Sequence, residues 1–324
     1  MSGARQARLP RPLAPGKAYD VVGFGLNAVD HLCRVPAFPP FAGKMLLDGY
    51  ECRPGGPVAT AIVALRRWGL KTAYLGSFGD DTLGKIARDA LVAEGVAVKG
   101  CITRPGARNQ FAAILVDAGS GERTVLWHRD ASLTVRPEEL DRDLVCAGRV
   151  LHLDGYDCDA AIEAAGWAGE AGIPTVLDLD SPRDRIEELL GRIDIAIVSR
   201  EFAIEFGGGS DPLAALDPLE RFGCSLIGVT LGCDGAVVRC GGQRLDVPAF
   251  RVSCVDTTGA GDVFRAGVIY GLLAGWGVEE MLCFASAAAA LQCTRLGAQP
   301  GIPGVDEVRG LAGTRIRRGN YHRD

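Results

Sequence analysis

The sequence predicts an α/β protein: a doubly wound, mostly parallel sheet with helices on both faces and a small inserted β lid. Three observations carry this. Short β-rich runs alternate with helical segments along most of the chain, the pattern of βαβ units. Two adjacent β runs between Asn109 and Arg129 interrupt that alternation. Hydrophobic residues make up 48% of the 324, which suits a sheet buried on both faces.

Residues 1–18 carry Arg and Pro without an apolar core, and read as a disordered tail rather than a secretory signal. A first strand begins at Tyr19 in YDVVGFGL. The prolines between Pro36 and Pro57 forbid a helix there. MLLDGYECR reads as a strand. PVATAIVALRRWG reads as a helix with Pro at its start and Gly69 at its end. KTAYLGSFG reads as one strand, and DDTLGKIARDALVAEG as a helix with acidic residues in its first turn. FAAILVD and ERTVLWH, joined by AGSG, form a hairpin. It is expected to pair with residues 45–52, giving a lid drawn from about 37–56 and 108–130. The strands RVLHLDG, IPTVLDLD, DIAIVS and SLIGVTLG then resume the alternation, with DAAIEAAGWAGEAG as a helix. GAVVRC and QRLDVPAF form a second hairpin, and two helices, about 260–275 and 278–293, follow. The whole reads as one domain, 19–310, with a basic, frayed tail at 311–324.

The net charge of -5 leaves no basic surplus for a nucleic-acid partner. No uncharged apolar run reaches the roughly 18 residues of a membrane span. The 11 cysteines contain no C-x-x-C pair and lie in apolar runs, as at Cys146, Cys283 and Cys293. They read as free thiols of a reducing, cytoplasmic setting. His31, His128, His152 and His322 have no metal-ligand spacing. His152 reads as a core residue, and His128 as a lid residue within reach of a substrate.

The chemistry concentrates in VDTTGAGDVFRAGVIYGLLAG, residues 255–275. Gly259, Ala260 and Gly261 let the backbone approach a ligand closely, and the helix that follows presents free N–H groups to an anion. Asp262 then lies in the first turn, beside that anion. Alone, such an Asp is usually a dipole-stabilising first-turn acid. Within D-T-T-G-A-G-D it reads as the base that takes a proton from a hydroxyl attacking a phosphoryl group.

Residues 255–267 resemble the C-terminal signature of the ribokinase-like (PfkB) carbohydrate kinases. TRLGAQPGIP (294–303), GFGLNAVDHL, VTLGCDGA and PGGPVATA fall in that family's order, so the resemblance spans about 20–305. It implies ATP-dependent phosphorylation of a hydroxyl on a sugar or sugar-like molecule, with Mg²⁺ and K⁺. It also implies that Asp262 is the base and that Gly259, Ala260 and Gly261 form the anion hole. Thr230, Gly232, Gly235 and Ser199 are implied for the nucleotide, and Asn27, Asp30, Gly55, Gly56 and Asp154 for the sugar. Asp256, Thr258, Arg295, Gly297 and Gly301 are implied for a monovalent-cation loop. Lids of this family often pair between subunits, which implies a homodimer.

The chain departs from the pattern where N-x-x-E normally organises Mg²⁺. Ser199-Arg200-Glu201-Phe202 stands there, so Glu201 or Glu205, or a water, would serve. Thr60 replaces an Asn in the Gly-Gly helix. Lys44, with Arg108, Arg123 and Arg129 near the lid, leaves an anionic substituent open. An acidic-sugar kinase (2-keto-3-deoxygluconate or sulfofructose type) and a nucleoside kinase therefore stay as alternatives, although Gly155 stands where a sulfonate-binding Arg would align. A catalytically silent binding protein is the alternative of another class. Gly23-x-Gly25-x-x-Ala28 matches a dinucleotide fingerprint, but the proline-rich run that follows is not the helix the fingerprint needs.

Overall fold

A computed structural model describes residues 13–316. Its strands are β1 (Tyr19–Phe24), β2 (Ala28–Val35), β3 (Gly49–Gly55), β4 (Thr72–Leu75), β5 (Ser77–Gly79), β6 (Ile102–Arg104) and β7 (Phe111–Asp117). They continue as β8 (Arg123–His128), β9 (Gly148–Leu153), β10 (Thr175–Leu179), β11 (Ile195–Ser199), β12 (Leu226–Thr230), β13 (Ala236–Cys240) and β14 (Gln243–Val247). Eight of them form one sheet in the order β14-β13-β12-β11-β10-β9-β1-β4. It is parallel from β12 through β4, with the β13–β14 hairpin antiparallel at its edge.

Successive residues of a strand face opposite sides, and two cores follow from that period. Val21, Val150, Val176, Ile195, Ile197 and Leu226 pack against the helices Pro57–Arg67, Ala260–Ala274 and Val278–Gln292. Their neighbours Val22, Leu151, Leu177, Val198 and Ile227 pack against the helices Cys158–Glu170 and Arg200–Gly207. Glycine lets the 260–274 and 278–292 helices touch. A Cβ on Gly267 would lie 2.5 Å from the Ala285 Cα, and one on Gly271 2.6 Å from the Met281 Cγ.

The lid is a second sheet, β3-β2-β7-β8. It corrects the expected pairing: the β7–β8 hairpin does not meet the 45–52 segment, because β2 stands between, antiparallel to β3 and parallel to β7. β2 ends at Val35, just before the prolines that begin at Pro36, as the extended bias of a pre-proline residue allows. Leu32 of β2 with Ala112, Ile114 and Val116 of β7 gives the lid its own small core.

Four further expectations change. KTAYLGSFG is two strands, because Gly76 turns the chain where a Cβ would lie 2.5 Å from Tyr74 Oη and 2.7 Å from the Gly25 carbonyl. Asp81 is the N-cap of the Thr82–Ala93 helix, accepting from the Gly84 N–H at 2.8 Å, rather than a first-turn acid. The C-terminal helix Val305–Ile316 runs across the boundary expected at 310, with Ala312 buried in the core. At the other end Leu13 packs against the core and Lys17 Nζ donates to the Cys146 carbonyl, so 13–18 is part of the body. The remaining tail residues, 1–12 and 317–324 with His322, lie outside the described residues. All 11 cysteines are free. No helix among the described residues is long and apolar enough to cross a membrane.

Candidate active site

The expected site residues collect at the carboxyl edge of the large sheet, where open α/β sheets bind ligands. Asn27 follows β1, Asp154 follows β9, Ser199 ends β11 and Thr230 ends β12, paired with Ser199 in register.

Gly259 takes the left-handed conformation (φ 81°) and opens the Ala260–Ala274 helix. No side chain caps that helix; the Ala260 N–H donates back to the Thr257 carbonyl at 3.3 Å, and the Gly261 and Asp262 N–H groups and the helix dipole are left for the cleft. Asp262 projects from this turn. Burial and the nearby Asp178 carboxylate push its carboxyl well above the usual carboxylate range, while Arg265 and Arg123 oppose the rise. Arg265 reaches back beneath Gly261, where a Cβ would collide with the guanidinium. It donates to Asp178 Oδ1 at 2.9 Å and to the Ile197 carbonyl at 3.1 Å. The lid turn closes over this loop: the Thr257 N–H donates to the Gly121 carbonyl at 3.3 Å, and Arg123 Nη1 to Thr257 Oγ1 at 2.6 Å.

On the other side of Asp262 lie the residues expected to meet a sugar. Asp30, in β2, is 5% exposed and has no hydrogen-bond partner among the described residues. Burial, aided by Asp256 and opposed by Arg123, raises its carboxyl to about 7. Gly55 has no side chain because a Cβ would collide with that carboxylate. Gly56 (φ 94°) passes so close that a Cβ would lie 2.6 Å from the Asn27 Cα. Asn27 is occupied by the protein: Nδ2 donates to Tyr74 Oη at 3.0 Å and to the Ser77 carbonyl at 2.8 Å, and Oδ1 accepts from Asn109 at 3.2 Å. Asp154 also turns to backbone, accepting from the N–H groups of Leu26 at 2.6 Å and Tyr156 at 3.0 Å. Burial nevertheless raises its carboxyl to about 7. Beside Asn27 a small depression is lined by Gly25, Ser77, Gln110 and Arg129, and Gln110 Oε1 is buried there without a partner.

On the nucleotide side, Gly232 (φ 64°) and Gly235 (φ 93°) turn the chain from β12 into β13. Arg200 ties this loop down, donating to the Leu231 carbonyl at 2.6 Å and to Asp234 at 2.7 Å. Ser199 caps the Arg200–Gly207 helix, its Oγ accepting from the Phe202 N–H at 3.0 Å. Glu201 stands exposed on that helix, away from Asp262 in sequence and core. Lys44 and Arg108 are exposed, and His152 is a core residue whose buried imidazole is pushed down to about 4.

In the expected cation loop, Asp256 is fully buried. It accepts from the Thr258 N–H and hydroxyl at 2.9 and 2.6 Å and from the Gly297 N–H at 2.7 Å. Arg295 points elsewhere, to Glu307 at 2.7 Å. The Gly301 N–H donates to the Gly297 carbonyl at 3.0 Å.

Four residues of this neighbourhood escaped sequence reasoning: Asp178, Arg265, Gln110 and Gln292. Arg265 had a signal, as the lone charge in the apolar run VFRAGVIYGLL. Asp178, in TVLDLD, is its buried counter-charge. The glutamines had none, since only the fold brings Gln292 to Thr258.

A small-molecule phosphotransferase is the class this arrangement defines: an uncapped helix start and a carboxylate at the edge of a doubly wound sheet, beneath a β lid. Comparison with known proteins agrees. The chain belongs to the pfkB family of carbohydrate kinases, whose match covers residues 19–304. Fructokinase-1 of Oryza sativa subsp. japonica is 30% identical over 322 residues, covering 90% of this chain and 97% of that one. The adenosine kinase of Sinorhizobium meliloti is 27% identical with a TM-score of 0.76, covering 92% of this chain and 99% of that one. Arabidopsis thaliana ribokinase, complexed with ribose and ATP, is 22% identical with a TM-score of 0.75, covering 91% and 99%. The chain is a sugar kinase.

Proposed function

We propose that this kinase transfers the γ-phosphoryl group of ATP to a hydroxyl of a sugar, with Asp262 as general base. One observation carries the reading: the buried Asp262 carboxyl stands in the first turn of a helix whose start no side chain caps, beneath the lid turn that meets Thr257. The N–H groups of Gly259, Ala260 and Gly261 bind the γ-phosphoryl oxygens and the charge that grows there in the transition state. Asp262 takes the proton as the hydroxyl oxygen attacks phosphorus, and the bond to the β-phosphate oxygen breaks to release ADP. Its raised affinity for protons matches it to a hydroxyl better than an ordinary carboxylate would be.

Asp30, unpartnered in the closed lid, accepts from sugar hydroxyls, and Gln110 Oε1 offers a second acceptor. In this reading Asn27 and Asp154 shape the pocket floor by holding Tyr74, Asn109 and the Leu26 turn. Thr230, Gly232 and Gly235 hold the nucleotide, and Ser199 supports the neighbouring helix start. Glu201 or Glu205, directly or through water, would hold Mg²⁺, which when bound would supply positive charge to offset that of the ATP phosphates. The closed contact of Gly121 with Thr257 supports a lid that excludes water, so that sugar rather than water is phosphorylated. The exposed outer edge of β8, with Leu126 and Trp127, supports pairing of two lids in a homodimer. Free thiols throughout support a cytoplasmic setting.

The test is ADP release with a panel of ketoses, aldoses, acidic sugars and nucleosides, wild type against Asp262→Ala. Turnover of one class, lost in the variant while the fold is retained, is the expected result. Equal turnover by the variant would remove Asp262 from the chemistry.

A further inference from the structure

We infer that the side-chain amide of Gln292 occupies the place of the monovalent cation in this kinase, and that its anion hole is organised without K⁺. This rests on the kinase reading above. Gln292 ends the Val278–Gln292 helix and is fully buried. Its Nε2 lies 3.0 Å from the Thr258 carbonyl, 3.0 Å from the Gly297 carbonyl and 2.9 Å from the Ala298 carbonyl. Thr258 and Gly297 belong to the loop in which a cation is expected. Three carbonyl oxygens converging on one point make a cation-like environment, and here an amide NH₂ stands at that point. The opposite orientation of the amide would set Oε1 against three carbonyl oxygens, which is repulsive.

The packing agrees. A Cβ on Gly301 would collide with Gln292 Nε2, and would lie 3.0 Å from its Cδ. A Cβ on Gly259 would lie 3.2 Å from the same nitrogen. The side chain therefore fills the space between the start of the anion-hole helix and the Gly297–Gly301 turn. An ion with its own shell of oxygens does not fit beside it, so the residues present do not suit the K⁺ that the resemblance implies.

The arrangement also explains how the loop holds its shape. Asp256 accepts from the N–H groups of Thr258 and Gly297. Gln292 donates to the carbonyls of the same two residues. Each strand of the loop is thus tied by its donor to one side chain and by its acceptor to another. Gln292 is a positioning residue: it touches no reacting atom and acts through Thr258 on Gly259–Gly261. Its Oε1, buried without a partner, is the cost of aiming the NH₂ end inward.

The experiment compares wild type, Gln292→Ala and Gln292→Glu in K⁺, Na⁺ and choline chloride at equal ionic strength. Melting temperature with Mg-ADP bound is read alongside kcat/KM. For wild type, melting temperature and kcat/KM should not distinguish K⁺ from choline. Gln292→Ala opens the space and leaves the carbonyls unpaired, and Gln292→Glu sets a negative charge among them. Both should become K⁺-dependent, by at least about fivefold in kcat/KM, the low end of an effector coupling. K⁺ should also raise their melting temperatures above those in choline. A wild-type enzyme stimulated by K⁺ to that extent overturns the inference. So do variants that fold in choline and gain nothing from K⁺. The melting arm needs no sugar, so failure to find a substrate would count against the kinase reading and leave the cation result intact.

Discussion

Asp30→Asn tests whether the pocket carboxylate is held at a cost to the fold. Asp30 is 5% exposed, and Gly55 backs directly onto it. Its carboxyl rises from 3.8 to about 7, chiefly through burial. The unfolded chain therefore loses this proton near pH 4, while the folded chain keeps it until about pH 7. A raised folded value means that the stability is fully present below pH 4, falls as pH rises to about 7, and is flat above. The gap of about 3 units corresponds to roughly 4 kcal/mol at 1.36 kcal/mol per unit. Asn has the same shape and no charge, so it removes that decline. Urea unfolding of both proteins, without substrate, should give a variant more stable at pH 8. Its advantage should be smaller at pH 5 by roughly 3 kcal/mol. An equal difference at both pH values, or a variant less stable at pH 8, would refute the argument. The same variant should bind sugar more weakly by about 1.5–3 kcal/mol, the worth of a hydrogen bond to a charged group, read as a raised KM.

Asp262→Asn should lower kcat by about 10²–10⁴ with nucleotide binding retained, checked by steady-state kinetics and nucleotide titration. Because burial and Asp178 raise the proton affinity of Asp262, wild-type kcat/KM should still be climbing through neutral pH instead of levelling near pH 5. A pH–rate profile reads this. Arg265→Met removes the hydrogen-bonded counter-charge of buried Asp178, leaving only the more distant Arg183, and should cost about 3–5 kcal/mol. The loss should be larger at pH 8 than at pH 5, because a protonated Asp178 needs no partner. Gly267→Ala places a Cβ 2.5 Å from the Ala285 Cα and should destabilise by about 1–3 kcal/mol with kcat unchanged, measured by thermal unfolding.

Local physics made much of this protein legible. The alternation of apolar strand runs with helices is a nearest-neighbour property, and it fixed the large sheet and the order of its elements. The DTTGAGD stretch carries its own geometry: glycines that admit the left-handed turn, and a helix start that must leave N–H groups free. The left-handed Gly259 and the helix start that carries Asp262 were therefore readable from the chain alone, as was His152 as a core residue. Tertiary structure decided everything that depends on contacts distant in sequence. β2 entered the lid because β7 offered it a partner 82 residues away, from Val29 to Phe111. Asn27 and Asp154 look like sugar ligands in sequence, and folding gives their polar atoms backbone and side-chain partners, while Asp30 has no hydrogen-bond partner among the described residues. Arg265 could be seen as an oddity, but its counter-charge Asp178 lies 87 residues earlier. Gln292 had no signal at all: only the approach of two loops at the end of its helix turns a polar side chain into the centre of three carbonyls. A motif states which backbone shape is required; burial and long-range pairing determine which side chains remain free to act.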